Sequence, residues 1–400
     1  MKPFEGSFTQ QEAIPVEGVV AAVDVMRSGR LHRYNTVGDE LGPVAELERA
    51  YAAYQGSDYC LACSSGGAAM AISLRAAGVT PGDKVLTNAF TLAPVPGAIA
   101  AVGAEAVLVE ITDDLVVDLK DLERKIASSG AGFFLLSNMR GHLCNMEALS
   151  GLLEVADIKM IEDCAHTMGA RWNGRLSGGF GLAGCFSTQT YKHLNSGEGG
   201  LITSNDAEFM ARAIILSGSY MLYERHGAGP AQEVFSEIRL DTPNMSARMD
   251  NVRAAMLLPQ LEKLEDNIRR WNERYDAIAA RLSPLPGVVL PERPDEESYV
   301  GSSIQFRLPD ITATDAGDFM KRLKTLGVEV KWFGDKNPVA FTSSHHSWRY
   351  VAPQNLPETD RILSGLFDMR IPLTFSLADC EHIAAIIAHV VEDRSLRGAA

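Results

Sequence analysis

Cys185-Phe186-Ser187-Thr188-Gln189-Thr190-Tyr191-Lys192-His193, continued by Asn195-Ser196-Gly197-Glu198-Gly199-Gly200, is the stretch on which the fold turns. An apolar run of strand length leaves its pattern at a lysine and enters a glycine-rich turn. Most lysines are solvated surface groups. This one stands between a strand end and a turn with few charges near it in sequence, and burial there would depress its pKa and free the amine for Schiff-base formation. Upstream, Met160-Ile161-Glu162-Asp163-Cys164-Ala165-His166 ends a second apolar strand on a carboxylate. Such a group is commonly a surface cap; buried, it can hold a protonated ring nitrogen through a charge-assisted hydrogen bond of about 1.5–3 kcal/mol. A third segment, Cys63-Ser64-Ser65-Gly66-Gly67-Ala68-Ala69-Met70, joins a strand to a helix through small residues. That arrangement either caps a helix in the ordinary way or aims free amides and the positive helix end at an anion.

Outward from these segments, residues 44 to about 217 alternate between short apolar runs and amphipathic stretches of helix length. Strands are expected at 58–63, 84–88, 105–110, 132–137, 159–163, 183–188 and 200–204, and helices at 67–77, 118–127 and 146–155. Seven strands that mostly alternate with helices predict an α/β fold, a largely parallel seven-stranded sheet covered on both faces. Ligands of such sheets bind beyond the carboxyl ends of the strands, where all three segments collect. After Asn244 a long helical pattern runs through Met256, Leu257, Leu258, Leu261, Leu264, Ile268, Trp271 and Tyr275. A proline-rich break follows, then a strand at 303–308, a helix at 315–326, a strand at 328–333 and a final strand–helix pair from 370 to 391: a smaller C-terminal α+β domain. The irregular segment 335–357 carries Phe341, His345, His346, Trp348 and Tyr350, with Phe333 just before it, and a loop of that length is expected to shape a binding pocket.

The chain has 400 residues, 46% of them hydrophobic, enough for a large core and more than one small domain. Its 37 basic and 51 acidic residues give a net charge of −14, which disfavours nucleic acid and anionic membranes as partners. The N-terminus has no signal-peptide pattern, no apolar run is long enough to span a bilayer, and the six cysteines are sparse, so a reduced cytoplasmic protein is expected. Two motifs mislead. Gly179-Phe180-Gly181-Leu182-Ala183-Gly184 is a literal G-x-G-x-x-G, but it leads into an apolar strand rather than opening a helix, as a dinucleotide fingerprint must. Cys60-x-x-Cys63 lies on a strand, where the two side chains point to opposite faces, and no second cysteine pair completes a metal set. No metal site is expected.

Taken in order, these segments resemble the DegT/DnrJ/EryC1/StrS family of PLP-dependent sugar aminotransferases, of the type I aminotransferase fold. The resemblance extends from Ser28-Gly29-Arg30 through Ala77-Gly78-Val79-Thr80-Pro81-Gly82-Asp83 and the specific block from Ile161 to Gly200, ending at Ile371-Pro372-Leu373. It implies a large pyridoxal 5'-phosphate-binding domain over residues 1–245 and a small domain, with its linking helix, over 246–400. It also implies transfer of an amino group from L-glutamate or L-glutamine to a keto sugar, possibly nucleotide-linked, through an internal aldimine on Lys192. By the same resemblance Asp163 pairs with the ring nitrogen, Ala165 packs on a ring face and His166 lies near the ring hydroxyl. Gly66, Gly67 and Ser187 would bind the phosphate. Leu92 stands where the family often stacks an aromatic, with Phe90 two residues away, and Gln189 stands where a histidine is common. The family forms homodimers with shared active sites, and Ser246, with Asn244 displaced, occupies the region before Arg248 that reaches the partner's cofactor. The alternatives are a sugar dehydratase of the same family, in which histidine replaces the lysine, and a non-catalytic regulatory protein.

Overall fold

Five-residue strands with nearly every side chain buried cannot face water, so the sheet they form needs a helical layer on each side. The computed structural model, which describes residues 1–340 and 342–398, with side chains through residue 393, has this architecture. Phe341 lies outside the described residues. The strands are β1 Tyr59–Cys63, β2 Lys84–Asn88, β3 Glu105–Val109, β4 Phe133–Ser137, β5 Lys159–Asp163, β6 Ala183–Ser187 and β7 Gly200–Ser204, each within one residue of the sequence expectation at either end. Their order is β1-β7-β6-β5-β4-β2-β3. All neighbours run parallel except β7, which is antiparallel to both β1 and β6.

The helices before residue 245 are α1 Val16–Ser28, α2 Pro43–Gln55, α3 Gly66–Ala76, α4 Pro94–Ala101, α5 Leu119–Ser129, α6 Met146–Val155, α7 Ala207–Ser217 and α8 Phe235–Asp241. Strand alternation divides the core in two. Cys60, Ala62, Leu86, Phe134 and Met160 pack with α2, α6 and the helices that follow residue 250, whereas Leu61, Cys63, Val85, Leu135 and Ile161 pack with α3, α4 and α7. The two cysteines of the C-x-x-C therefore lie in different cores, and all six cysteines are buried and unpaired.

The long helical pattern is two helices, α9 Asn251–Leu261 and α10 Leu264–Leu282. Pro259 removes a backbone donor inside α9, and the chain closes three residues after Gln260 with Lys263 N–H on the Gln260 carbonyl (3.1 Å). The C-terminal unit contains β8 Ser303–Arg307, α11 Ala313–Thr325, β9 Lys331–Trp332, α12 Pro357–Ser364, β10 Leu366–Arg370 and α13 Leu377–Gly398. Two expectations need correction here. The strand at 328–333 shrinks to two residues, and the last strand ends at Arg370 rather than starting there, because it pairs with β8 from Leu366 onward. Two crossings cut across a division at residue 245: Phe4 and Phe8 pack edge-on against Phe375 in the C-terminal core (5.0 Å each), and α9 packs on α1 and α2. Among the described residues no helix is long and apolar enough to cross a membrane.

The described residues of the segment 335–357 cover the open edge of the sheet. Gln354 accepts from Leu108 N–H (2.8 Å) and donates to the Ala106 carbonyl (2.9 Å), pairing with edge strand β3, and Trp348 is buried against Leu108, Ala89 and Leu356. His345 and His346 both place Nε2 on Asp360 Oδ1 (2.8 and 2.9 Å), which brings three potential metal-ligating groups together.

The glycine-rich run at 178–184 has a structural task. Glu162 is fully buried, and its carboxylate accepts from Gly178 N–H (2.8 Å), Phe180 N–H (2.7 Å) and Gly181 N–H (2.9 Å). The loop wraps an anion that belongs to the chain itself and then enters β6. A Glu162→Gln variant would set an amide NH₂ against one of these donors. It should lower folding stability by about 1–3 kcal/mol, read as a lower urea midpoint with an unchanged slope; an unaltered midpoint contradicts this account.

Candidate active site

The carboxyl ends of β4 and β5 set Ser137 beside Asp163, which is in register with Cys185 of β6, and Ser187 ends β6 two residues further on. Ser137 Oγ receives a hydrogen bond from Thr91 Oγ1 (2.7 Å) and donates to Asp163 Oδ2 (3.1 Å), while Ala165 N–H donates to Asp163 Oδ1 (3.2 Å). Asn88 holds the Ser137 backbone from the end of β2, with bonds of 2.8 and 3.0 Å. Burial pushes the Asp163 carboxyl up, against the opposing pull of Lys192 and of these hydrogen bonds.

Beyond β6 the chain forms a narrow hairpin to antiparallel β7, closed by Thr188 N–H on Gly199 O (2.9 Å) and Thr190 N–H on Gly197 O (3.1 Å). Lys192 sits in its tip. Its Nζ lies 2.8 Å from His166 Nε2, and His166 Nδ1 accepts a long bond from Arg140 N–H (3.4 Å). With Nδ1 as acceptor, the proton of a neutral imidazole is on Nε2, and Nε2–H then donates to an unprotonated lysine amine. Electrostatics agree. Burial, then Arg140, Arg370 and Lys331, bring Lys192 down to about 7 despite Asp163, and burial, Lys192 and Arg140 hold His166 well below the usual histidine range.

The start of α3 stands beside the end of β6. Ser65 Oγ caps Ala68 N–H (3.0 Å) and Ser65 C=O takes Ala69 N–H (2.9 Å), which leaves the first-turn amides of Gly66 and Gly67 without an intrahelical acceptor. A Cβ on Gly66 would lie 2.8 Å from Ser187 Cβ, so only glycine allows this approach; at Gly67 the nearest atom would be Ser65 Oγ at 3.9 Å, and the space in front is open. Gln189 is pinned by its own turn, accepting from Tyr191 N–H (2.9 Å). Leu92 and Gln189 line the cleft with His166 and Lys192. Phe90 cannot replace Leu92 as a stacking group, because it is buried edge-on against Phe333 (5.1 Å).

The remaining expected residues are elsewhere in the single chain. Asn244 and Ser246 are exposed, Asn244 bonded to Tyr220 N–H (2.6 Å) and Ser246 to Arg248 (2.9 Å). The cleft also contains groups that the sequence did not single out. Arg140, from the turn after β4, and Lys331 and Arg370, from β9 and β10, form its cationic wall. Their only sequence signal is that 140 follows a strand end by three residues, on the edge where ligands bind.

A family model for the DegT/DnrJ/EryC1/StrS aminotransferase family matches residues 17–390. The chain belongs to this family. By that membership it is a pyridoxal-phosphate-dependent aminotransferase. It is 30% identical to a pleiotropic regulatory protein of Geobacillus stearothermophilus, over 75% of this chain and 76% of that one. It is 29% identical to a dTDP-3-amino-3,4,6-trideoxy-alpha-D-glucose transaminase of Micromonospora megalomicea subsp. nigra, over 82% and 83%. The crystal structure of 3-amino-5-hydroxybenzoic acid synthase superposes with a TM-score of 0.83 at 23% identity, covering 98% of this chain and 100% of that one, a likeness of fold.

The Lys192 amine is held down to about 7, so a large share of it is unprotonated near neutrality. In protein stripped of cofactor, competitive acetylation with acetic anhydride should give the Lys192 peptide a midpoint near pH 7, against about 10.4 for an ordinary lysine side chain. A Lys192 midpoint near the ordinary value removes the case for a poised amine.

Proposed function

We propose that this enzyme carries pyridoxal 5'-phosphate on Lys192 and moves an amino group from L-glutamate or L-glutamine to a keto sugar, nucleotide-linked or free. The observation that carries the reading is the conjunction of a buried Lys192, its amine 2.8 Å from His166 and held down to about 7, with a buried carboxylate, Asp163, at the end of β5. The residues fit the cofactor. An open, glycine-lined helix start suits a phosphate, and a buried carboxylate with one backbone and one hydroxyl donor retains lone pairs for a ring N–H. When bound, the cofactor supplies an electron sink for charge developing on the substrate carbon that bears nitrogen.

Gly66, Gly67 and Ser187 would hold the phosphate, with Gln189 beside them, and Asp163 would keep the ring nitrogen protonated while Ser137 fixes the carboxylate's orientation. Ala165 would lie on one ring face, with Leu92 as the apolar contact where relatives stack an aromatic, and His166 would face the ring hydroxyl. Lys192, released once substrate takes its place, would hold the proton removed from the nitrogen-bearing carbon of the donor and pass it on toward the cofactor, and do the reverse for the acceptor. Donor and acceptor use one site in turn, so kinetics should be ping-pong. The presence of Lys192 speaks for amino transfer over the dehydratase reading, and an intact Lys192–Asp163 pair speaks for chemistry over a purely regulatory role. The working unit is proposed as a homodimer, supported by the exposed run Asn244-Met245-Ser246 beside exposed Tyr220, Met221 and Leu240. Six buried, unpaired thiols support a reduced, cytoplasmic setting.

The purified protein should be yellow, and borohydride should fix the cofactor on the Lys192 peptide. Lys192→Ala should abolish turnover. Asp163→Asn should fold and still bind the cofactor but lose about 10²–10³-fold in kcat, as when one electrostatic stabiliser is removed. Near-normal turnover by either variant rejects the assignment. Glutamate or glutamine alone should release its keto acid stoichiometrically with protein.

A further inference from the structure

Two consecutive histidines meet one carboxylate outside the Lys192 cleft. Ser344 is extended (φ −119, ψ 168), and residues 345–347 then close a single tight turn, with Ser347 N–H and Oγ–H both on the Ser344 carbonyl (2.9 and 2.8 Å). A turn of this kind has about three residues per rotation, so successive side chains diverge by roughly a third of a circle. His345 and His346 converge instead. Their rings lie 3.9 Å apart between centroids, inclined at 38°, and both place Nε2 on Asp360 Oδ1 (2.8 and 2.9 Å). The three ligating atoms all lie within 4.8 Å of one another. Asp360 stands in the first turn of α12. Its neighbour Arg361 is directed to Glu358 (2.9 Å) and Asp113 (3.1 Å), and the Asp360 carboxylate faces the two imidazoles.

Separations of this size fit a shared ion. An imidazole nitrogen and a carboxylate oxygen each bind zinc at about 2.0–2.2 Å, which puts two donors about 2.9–3.4 Å apart for angles from a right angle to a tetrahedral one. The cluster would need to spread by only a few tenths of an ångström. Two adjacent imidazoles turned onto one oxygen is also more than a single histidine–carboxylate hydrogen bond requires. The donor set selects the ion: imidazole suits zinc and its first-row neighbours, whereas calcium and magnesium take shells of oxygen. Three protein donors leave the fourth position of a tetrahedral shell to water. Exposure supplies the route, since the His345 side chain is 3% exposed but those of His346 and Asp360 are 56% and 41% exposed. The turn is anchored by Trp348, which is buried and donates from Nε1 to Ser343 Oγ (2.9 Å), so the donors start from a fixed backbone. None of the three residues lines the cleft beside Lys192.

We propose that His345, His346 and Asp360 form a site for a zinc-class divalent cation, which ties the turn 345–347 to α12, the helix that leads into β10. The site is independent of the amino-transfer reading. The protein, saturated with pyridoxal 5'-phosphate and freed of metal with EDTA that is then removed, is titrated with zinc sulfate against a chromogenic zinc indicator. One equivalent of zinc per chain should be withheld from the indicator, and excess magnesium chloride should not displace it. His346→Gln and Asp360→Asn each remove a ligand at the surface, and each should weaken this equivalent at least about tenfold, the loss that even an outer-shell substitution brings. His382→Gln, which removes a half-buried histidine of α13, should leave it unchanged. Cobalt in place of zinc should give a visible ligand-field absorption that Asp360→Asn alters. Lack of a zinc equivalent, an equivalent that survives both substitutions, displacement by magnesium, or equal weakening by His382→Gln overturns the proposal.

Discussion

Two adjacent carboxylates at the end of β5 govern the architecture of this molecule. On an extended strand neighbouring side chains face opposite ways. Glu162 turns into the body of the protein and Asp163 turns toward the edge where the site lies. A buried carboxylate is tolerated only when its lone pairs are satisfied, and the three backbone amides of the 178–181 loop do this for Glu162. That loop leads directly into β6, so satisfying Glu162 fixes where β6 begins and, five residues past its end, where Lys192 stands. The structural carboxylate thus positions the lysine that the proposed chemistry pairs with Asp163.

The cationic wall adds to burial in holding the Lys192 amine down to about 7. Burial is the largest influence, and Arg140 is the next, with Arg370 and Lys331 adding to it. Asp163 opposes them, and in the proposed holoenzyme its charge would be paired with the cofactor ring. The same three cations are what an anionic ligand would neutralise, which would let Lys192 take a proton more easily once substrate is in place. A lysine whose pKa lies close to neutrality is suited to a group that must first bond to carbon and then take up and return a proton.

Much of this was legible in the chain because the core obeys local rules. Seven buried strands of five residues announce themselves as apolar runs between turn residues, and β2, β5 and β7 match their expected limits at both ends. Lys192, Asp163 and Gly66 stood out because each breaks an apolar pattern at a strand end. The wall did not, because Arg140, Lys331 and Arg370 come from separate elements, and an arginine after a strand or a lysine in one has no distinctive local context. The Thr91–Ser137–Asp163 relay was hidden for the same reason: its members are common polar residues whose meaning depends on sheet order. The pairing of Gln354 in the 335–357 loop with edge strand β3 was equally hidden, because an unpaired strand edge is visible only once the sheet order is known.

The sequence departures from the family pattern also gain a physical meaning. Leu92 presents an aliphatic surface where an aromatic would give stacking, and Phe90 is committed to Phe333, so in the proposed holoenzyme grip on the ring would come more from its charged ends, through Gly66, Gly67 and Ser187 and through Asp163. At the same time Lys331 and Arg370 come from β9 and β10, which are joined to each other by backbone pairing and to Arg140 through Asp368. Asp368 therefore ties the C-terminal three-stranded sheet to the turn after β4 by a buried ion pair, and removing that carboxylate would leave Arg140 buried without its counter-charge.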